Sequence, residues 1–563
     1  MWLLFLEVAV YFALMLVIGR VTGKWVTSSD DYWTSGREVH WLPMGFGIAA
    51  IMFSGATLPT ISGFAITHGL WIGSLYMWGW ALGIVLFTLL VAPAIRRAGI
   101  VTLPEWIEVR YSSKTRTVAA IATATAAFGA LFAQVVGLGN NLVTITGLPY
   151  WATTLAVVIL CTLYLYSGGF WALTVSDMCH MTIVAIAFLV VLAFMFAKVG
   201  GPFQVAANSP GAAERVFTFF GKSPAGFTYK LNYPSFPSLL IGWFFCQLGC
   251  QYYWARAVSA RTEKEVKKGY YLSAVMTIVF GSTLLALFGT YALQIFGEGN
   301  VTSANAFGKL VVDFLPVPFD GLLTVALVAG CMSTFSTAVV GVSAPITRDI
   351  YLRIFRPKAN AKEMEKASRI VTVCVAIVAY LFALFWKSGS GHALAMMWAF
   401  SAPTGALVLL GLFWKRATPK ASFIAELIGL IVTFLWYVIS AATPLKLVNY
   451  VHPMWVGFLL TFCLMVILSL ATTPKYYGKE GYKAPQASKA AGLAQSASAH
   501  VKAYQEEQYK LAMQNSMRPV FGTRKWKEAL ERRHNSTTTT VADFFYPEIT
   551  GRQFNSRVKA EEN

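Results

Sequence analysis

Long apolar runs separated by short polar segments make up most of this 563-residue chain. The pattern predicts about thirteen helical spans, since a transmembrane helix needs about 20 mostly apolar residues. The predicted spans are 2–21, 42–66, 70–95, 117–142, 149–167, 175–198, 238–256, 270–297, 318–344, 369–387, 390–414, 421–441 and 451–472. We therefore predict an all-α polytopic membrane domain over residues 1–472, whose first segment is expected to be a retained span and not a signal peptide.

The stretch Gly45–Gly63, within the second predicted span, is interrupted by residues that weaken a helix. Besides its terminal glycines it contains Gly47, Gly55 and Pro59, which loosen or remove backbone hydrogen bonds. Freed carbonyls at membrane depth are tolerated only where protein, water or an ion satisfies them. Two interpretations remain open from this stretch: a binding site, or a close helix crossing built on small residues.

The next glycine-interrupted span, around Gly242–Gly249, lies five spans later. Discontinuous helices at corresponding positions of two halves mark the binding site of transporters built from inverted repeats. The offset is the one that a five-plus-five repeat requires.

Composition agrees with a membrane protein, since 56% of the residues are hydrophobic and the mean hydropathy is +0.57. The net charge of +19 does not indicate nucleic-acid binding, because its basic residues cluster after spans 1, 3, 7, 9 and 11. The positive-inside rule then predicts an outside N-terminus and a cytoplasmic C-terminus. The polar tail, 473–563, holds 15 Lys and Arg against 9 Asp and Glu. It is predicted to be largely disordered and able to contact anionic lipid or an unknown partner.

Polar side chains inside the spans are few, and each is a candidate for function. Asp177 indicates a carboxylate near a cation path, although an acid in a first helical turn would also be favoured there. Ser333 and Thr334 are adjacent hydroxyls one turn after Gly330, and they suit Na⁺. Such hydroxyls often only bond the carbonyl four residues back. No metal-ligand cluster, nucleophile–base pair or phosphate loop occurs, so neither an enzyme nor a cofactor is expected, apart from Na⁺ as a coupling ion.

Several motifs over residues 1–470 resemble the sodium:solute symporter family, whose members include sodium/glucose, sodium/proline and sialic acid symporters. These motifs are Ser35–Pro43, Ser54-Gly55 with Gly63, Val101–Tyr111, Gly168-Gly169 with Asp177, Gln251–Ala260 with Arg256, and Ala329–Tyr351. The resemblance implies a leucine-transporter-like five-plus-five inverted-repeat core, with core spans over about 42–198 and 238–414.

The resemblance also implies a sodium site. Carried over by position, it falls on the carbonyls of Ala50, Phe53 and Gly330 and on the hydroxyls of Ser333 and Thr334. Asp177 matches an acidic residue that supports sodium coupling in relatives.

The solute site matches less well. Positions that carry polar residues in sugar transporters read Met52, Ala56 and Thr57 here, which argues against a sugar, whose buried hydroxyls need partners. The tryptophan of proline carriers is matched by Trp243. Its neighbours Gln247 and Gln251 have amides that suit a small polar solute. An amino acid or a monocarboxylate is therefore favoured.

We predict a sodium-coupled symporter of the plasma (inner) membrane, multi-pass, that imports a small organic solute by alternating access. Its expected partners are Na⁺, that solute and the lipid bilayer, without nucleic acid. Two alternatives remain open: a transporter-like sensor that signals through the tail, and a proton-coupled carrier in which His180 and Asp177 matter more than Ser333 and Thr334.

Overall fold

The computed structural model describes residues 2–25, 33–208, 231–356, 359, 361–385, 390–414 and 416–472. The polar tail that the sequence predicts over 473–563 lies outside the described residues. Within them every regular element is a helix, apart from an isolated β-bridge between Val39 and Ala260. Ten helices are long and apolar enough to cross a membrane, and three shorter apolar helices join them. Together they give the thirteen spans expected from hydropathy.

The spans follow the predicted order with shifted ends. Spans one to six comprise Trp2–Gly23, the pair Trp41–Ala50 and Thr57–His68, then Leu70–Leu90, Ser113–Thr146 and the two halves of Tyr150–Val199. Spans seven to nine comprise the pair Phe236–Gly249 and Gln251–Ser259, then Glu263–Met276 continued by Thr283–Phe296, and Phe319–Ala344. Spans ten to thirteen are Ala361–Phe385, Ser390–Phe413, Pro419–Ala442 and Pro453–Ala471.

Shorter helices lie between the spans. They are Ser35–Arg37, Ala92–Ala98, Leu103–Arg110, Pro202–Asn208, Ala306–Lys309 and Leu447–Asn449. Wider turns of π type occur at Thr277–Ser282, Leu310–Phe314 and Pro345–Phe355.

Spans two and seven are both broken, as the glycine pattern predicts. In span two the helix stops at Ala50 and resumes at Thr57. In span seven Cys250 is extended (φ −106°, ψ 126°) between the helices that end at Gly249 and begin at Gln251. The two breaks are five spans apart, which is the offset of the predicted repeat.

Spans five and six run into each other through one sharp kink. Gly169 has φ 51° and ψ −140°, a conformation that costs little only for glycine. Asp177 therefore lies more than two helical turns beyond the kink. The alternative that it is an acid of a first helical turn is wrong, because such a favourable dipole interaction fades within the first turn.

Span nine is the centre of the bundle. All of its apolar window is buried, whereas the windows of spans one, twelve and thirteen are 22%, 28% and 33% buried. The peripheral spans expose Leu, Ile, Val and Phe side chains, as surfaces in contact with lipid do. A helix enclosed in this way can hold polar side chains at membrane depth only if neighbouring spans supply their partners.

Three arginines from the predicted basic connections tie helix ends together. Arg96 donates to the carbonyls of Ala260 and Arg261, at 2.6 and 2.8 Å. Arg110 donates to the carbonyl of Gly411 at 2.8 Å. Arg116 donates through Nε to Asp349 Oδ1 at 2.8 Å. Arg96 and Arg110 thus bond carbonyls near helix ends, which otherwise lack partners, and Arg116 pairs with a carboxylate.

Candidate functional site

The break in span two lies directly against the middle of span nine. The hydroxyl of Thr334 donates to the carbonyl oxygen of Ile51 at 2.9 Å. A Cβ added at Gly330 would overlap the carbonyl oxygen of Phe53, so only glycine allows this approach. The predicted carbonyl-bearing stretch Ala50–Phe53 and the predicted hydroxyl of Thr334 are therefore brought together. Ile51 was not among the predicted ligands, and its carbonyl is the one bonded to Thr334.

Asp177 links this region to two further elements. The hydroxyl of Ser333 donates to Asp177 Oδ1 at 2.6 Å. Arg256 Nη2 forms an ion pair with Asp177 Oδ2 and also donates to the hydroxyl of Thr337 at 3.0 Å. Arg256 and Asp177 are 1% and 0% exposed. A buried carboxylate is far less costly when a cation and a hydroxyl bond it than when it stands alone.

The second half of span two begins with its amides already bonded. Thr57 N–H donates to the hydroxyl of Ser54 at 2.9 Å, and Leu58 N–H donates to the carbonyl of Ser54 at 2.9 Å. Ala56 N–H donates to Gln134 Oε1 at 3.0 Å. A helix N-terminus commonly binds an anion through such amides. Here their hydrogen bonds are occupied by the protein.

The carbonyl oxygen of Ala56 accepts hydrogen bonds from two hydroxyls. Thr60 donates to it at 2.8 Å and Ser390, at the start of span eleven, at 3.1 Å. The predicted solute residues Ala56 and Thr57 thus belong to a network that joins span two to spans four and eleven. Both are buried, as is Met52.

Trp243, predicted to contact solute, belongs to a cluster of three aromatic rings from spans three, seven and eleven. Its ring centroid lies 5.3 Å from that of Tyr76 and 5.0 Å from that of Trp398. Tyr76 and Trp398 are 5.9 Å apart. All three are fully buried.

The polar atoms of this aromatic cluster have no partner among the described residues. They are Tyr76 Oη, Trp243 Nε1 and Trp398 Nε1. Buried donors are normally hydrogen-bonded, so each unpaired one requires an explanation. Three unpaired donors on touching rings indicate a place for an acceptor that the described residues do not provide.

The two predicted glutamines have different surroundings. Gln247, one turn after Trp243, donates to the carbonyl of Trp80 at 3.2 Å, while its Oε1 is unpaired among the described residues. Gln251 accepts from Leu103 N–H at 2.7 Å and donates to the carbonyl of Val101 at 3.3 Å. Gln251 therefore joins the second half of span seven to the connection after span three, and not to the aromatic cluster.

Two further ionisable residues within spans, His180 and Glu426, also have partners. The hydroxyl of Tyr11 and Nδ1 of His180 form a buried hydrogen bond. Glu426 Oε1 accepts from the hydroxyl of Thr404 at 2.5 Å, two turns into span twelve. Among the described residues no group of three His, Cys, Asp or Glu side chains is arranged to hold a metal ion.

Broken helices packed against a hydroxyl-bearing central span define a class of membrane transporters in which ion and solute meet at mid-membrane. A profile of the sodium:solute symporter family matches residues 32–429, more than half of the chain. The chain belongs to this family. It is therefore a sodium-coupled solute symporter and not an enzyme.

Individual relatives transport different solutes. The chain is 25% identical to a sodium/glucose cotransporter of Vibrio parahaemolyticus over 83% of this chain and 91% of the relative. It is 25% identical to an osmoregulated proline transporter of Bacillus subtilis, with 83% and 94% covered. It is 26% identical to the human sodium/iodide cotransporter, with 71% and 65% covered.

Two solved structures share the fold. A Na⁺-coupled sialic acid symporter in a substrate-bound, outward-open state gives a TM-score of 0.72 at 19% identity, covering 84% of this chain and 98% of that one. The nucleobase-cation-symport-1 family transporter Mhp1, closed with bromovinylhydantoin bound, gives 0.52 at 12% identity, covering 83% and 99%. The leucine-transporter-like architecture predicted from the resemblance is confirmed.

Two contacts escape prediction from the sequence. Arg256 stands in a recognised motif, but nothing in its spacing assigns it to Asp177, 79 positions away. Tyr76 and Trp398 look like ordinary aromatic residues of apolar spans until their unpaired donors are seen together. Only the contact between spans nine and two has a local sequence signal. That signal is Gly330, because a small residue in a membrane helix often marks a close backbone approach.

The Asp177–Arg256 pair provides a test by double substitution. Asp177→Asn leaves a buried guanidinium without its counter-charge, and breaking a buried pair in this way costs about 3–5 kcal/mol. Arg256→Gln leaves the carboxylate unpaired at a similar cost. We expect the thermal midpoint of the purified protein to fall in both single variants and to recover substantially in the double variant. Additive losses in the double variant would contradict the pairing.

Gly330 provides a second test. Gly330→Ala forces span nine away from the backbone of span two, and overpacking of this kind typically costs about 1–3 kcal/mol. We expect a lower thermal midpoint and a loss of stabilisation by NaCl relative to KCl. Gly281→Ala is the matched control, since its Cβ would meet only side-chain atoms, the ring tip of Phe53 at 3.3 Å and the end of Met77 at 3.4 Å. Equal behaviour of the two variants would show that the contact between Gly330 and Phe53 has no special role.

Proposed function

We propose that the chain imports a small organic solute that carries a carboxylate, an amino acid or a monocarboxylate, together with Na⁺. The observation that carries this proposal is the set of three unpaired donors on the buried aromatic cluster of Tyr76, Trp243 and Trp398. A carboxylate accepts hydrogen bonds through two oxygens and matches this excess of donors.

A sugar fits the cluster less well. Each sugar hydroxyl both donates and accepts, so a buried sugar needs acceptors as well as donors. Among the described residues Gln247 Oε1, one turn after Trp243, is an unpaired atom that can only accept. The hydroxyl of Tyr233, whose ring centroid lies 5.3 Å from that of Trp398, is also unpaired and can donate or accept. The amides at the start of Thr57–His68 add no free donors, because Ser54 and Gln134 already accept from them. Recognition of the carboxylate is therefore assigned to the aromatic donors.

The proposed sodium ligands are the predicted carbonyls of Ala50, Phe53 and Gly330 and the hydroxyls of Ser333 and Thr334. The close approach between Gly330 and Phe53 supports this set, as does the hydrogen bond from Thr334 to the Ile51 carbonyl. Na⁺ is a hard cation and prefers oxygen ligands, and the carbonyl end of a half-helix carries partial negative charge. We add the Ile51 carbonyl as a further candidate.

Coupling follows from the positions of these groups. The break in span two carries the proposed ion ligands on one side and, through Ala56, contacts spans four and eleven on the other. Ion binding between spans two and nine holds the break in one geometry and so orders the network next to it. Solute binding then meets a smaller entropic cost, which is positive cooperativity between ion and solute. The three rings contact one another here, so they must part to admit solute.

Energy for uptake comes from the sodium gradient and the membrane potential. Each elementary charge that moves inward gains about 2.3 kcal/mol per 100 mV. Asp177 supports the ion site indirectly, since its carboxylate accepts from Ser333 and orients that hydroxyl. The inner-membrane orientation, with the C-terminus in the cytoplasm, is part of the same proposal and is supported by the distribution of basic residues.

The sodium ligands are tested through Thr334. We expect Thr334→Ala to raise the sodium concentration needed for half-maximal uptake by about tenfold or more, as loss of supporting groups at metal sites does, and Thr334→Ser to retain most of the affinity. The measurement is solute uptake into proteoliposomes at varied Na⁺. Thr324→Ala is the matched control, because its hydroxyl bonds only the Asp320 carbonyl four residues back in the same helix. Unchanged sodium dependence in Thr334→Ala would exclude this ligand.

The solute class is tested with a panel of carboxylates, their amides and sugars in a thermal-shift assay in NaCl. We expect stabilisation by a carboxylate, and its loss when the carboxylate is amidated. Trp243→Phe keeps an aromatic ring but removes the N–H donor. We expect it to lower the affinity for that carboxylate by about tenfold, which corresponds to the loss of a hydrogen bond to a charged group. Trp254→Phe serves as the control, since its N–H already donates to the Ile100 carbonyl at 2.9 Å. Stabilisation by a sugar alone would refute the carboxylate assignment.

A further inference from the structure

The aromatic cluster of Tyr76, Trp243 and Trp398 is shut off from the surroundings of the bundle, since all three side chains are fully buried. They belong to spans three, seven and eleven. Successive spans cross the membrane in alternate directions, so these odd-numbered spans begin at the same end of the bundle. The residues around their first turns therefore determine whether solute can reach the cluster from that end.

Tyr233, which lies in a non-helical segment just before span seven, packs on the cluster at this end. Its ring centroid is 5.3 Å from that of Trp398, with the two planes at 85°. It is also 6.0 Å from the ring of Phe64 and 5.6 Å from that of His452. Phe64 in turn lies 5.9 Å from Tyr76. One tyrosine from outside the spans thus contacts spans two and eleven and the residue that caps span thirteen.

The position of Tyr233 separates buried rings from exposed side chains. Trp398, on one side of it, is fully buried. His392, whose ring centroid lies 5.9 Å from that of Tyr233, is exposed, and Phe64 is half-buried. Tyr233 itself is 7% exposed. Its side chain therefore forms the layer between the cluster and this end of the bundle.

The hydroxyl of Tyr233 reaches the polar network at the break in span two. A Cβ added at Gly391 would lie 3.5 Å from Tyr233 Oη and 3.3 Å from the hydroxyl of Thr60. Thr60 is one of the two residues that donate to the Ala56 carbonyl. Tyr233 Oη is buried and has no hydrogen-bond partner among the described residues. The ring is therefore held over the site by packing, and no hydrogen bond of its hydroxyl must break when it moves.

The segment that carries this tyrosine is tied to span thirteen, which lies outside the predicted ten-helix core. His452 N–H donates to the carbonyl of Leu231 at 2.7 Å. Trp455 Nε1 donates to Ser238 Oγ at 3.0 Å, and Ser238 Oγ donates to the carbonyl of Asn232 at 2.6 Å. Both residues that precede the tyrosine are thus held by span thirteen, one directly and one through the first turn of span seven.

Spans seven and thirteen also pack closely where these hydrogen bonds lie. Phe245 and Phe458 stack with centroids 3.9 Å apart and planes at 11°. A Cβ added at Gly242 would lie 2.9 Å from Met454 Sδ, so the two helices approach each other closely. Span thirteen is therefore a firm support for the segment before span seven.

We propose that Tyr233 covers the solute site at this end of the bundle and that span thirteen holds it in the covering position. The proposal rests on the proposed function, because it takes the aromatic cluster to be part of the solute site. Solute can then enter from this end only after the ring of Tyr233 leaves Phe64 or Trp398. A span outside the repeat core thereby acts on access to a site inside that core.

The test measures how fast a buried reporter cysteine at the site reacts in the full-length purified protein in KCl. The reporter is Thr60→Cys, since Thr60 lies next to the Tyr233 hydroxyl and is 4% exposed. The exposed Cys374 and Cys463 are replaced by serine in every variant. The reagent is methanethiosulfonate-ethyltrimethylammonium, a cation that reacts from water. We expect slow labelling as long as Tyr233 is present.

Tyr233→Ala should raise the labelling rate by about a hundredfold or more, because it removes a buried aromatic side chain from above the site. Tyr233→Phe keeps the ring and should leave the rate within about twofold, because the hydroxyl has no bond to lose. Ser238→Ala and Trp455→Phe leave Tyr233 intact and weaken its support. Each should raise the rate by about fivefold, the value of one hydrogen bond.

Three controls separate uncovering from general loosening. Tyr291→Ala removes another buried tyrosine, whose hydroxyl donates to the Gly200 carbonyl at 2.6 Å. Ser273→Ala removes a buried hydroxyl that bonds within its own helix, to the Tyr270 carbonyl at 2.7 Å. Neither should change the rate at the Thr60→Cys reporter. A second reporter, Thr123→Cys on span four, should stay unreactive in every variant.

An unchanged rate in Tyr233→Ala would overturn the proposal, as would an equal rise at the Thr123→Cys reporter. Should Tyr233→Ala fail to fold, Ser238→Ala and Trp455→Phe carry the test, and unchanged rates in both would refute the role of span thirteen. The labelling requires no solute. Its failure would therefore leave the carboxylate assignment standing, and failure of every carboxylate in the thermal-shift panel would leave the labelling result standing.

Discussion

A helix that breaks inside a membrane must have its backbone groups bonded by something other than water, and this requirement governs the arrangement around span two. Between Ala50 and Thr57 the helix is interrupted and the continuous helical hydrogen-bond ladder is lost. Thr334 donates to one of the freed carbonyls, that of Ile51. Ser54 and Gln134 accept hydrogen bonds from the amides at the start of the next helix. Ser390 donates to the carbonyl of Ala56. Because these partners come from spans four, nine and eleven, the break fixes how those spans pack.

The same requirement distinguishes the two candidate binding regions. At the ion region, oxygens from the main chain and from hydroxyls predominate, and their charges are partial. At the aromatic cluster, N–H and O–H groups predominate and lack acceptors. A cation and a carboxylate are the complementary occupants of such surfaces. The assignment of sodium and solute therefore rests on opposite imbalances of hydrogen-bonding groups within one bundle.

Much of the architecture could be predicted from the sequence because the bilayer leaves few choices. Hydropathy gives the spans, and Gly and Pro positions give the breaks in spans two and seven, since both signals are local. Residues that act through distant partners could not be found in this way. The pairing of Arg256 with Asp177 and the grouping of Tyr76 with Trp398 depend on helix rotation, which apolar spans encode poorly when both faces are buried. Gln251 was predicted beside Trp243 as a solute residue, but it follows the break at Cys250 and its amide bonds Leu103 and Val101.

The ion pair between Asp177 and Arg256 also has a consequence for the charge that the proposed mechanism carries across the membrane. Its carboxylate is already paired with a guanidinium, so in the proposed mechanism an arriving Na⁺ brings a charge that this ion pair does not balance. In the proposed mechanism the solute supplies the balancing charge. A monocarboxylate that enters with a single Na⁺ then crosses without net current, whereas a zwitterionic amino acid carries one positive charge inward. With one Na⁺ per solute, the current across the membrane would in this mechanism report the charge of the solute.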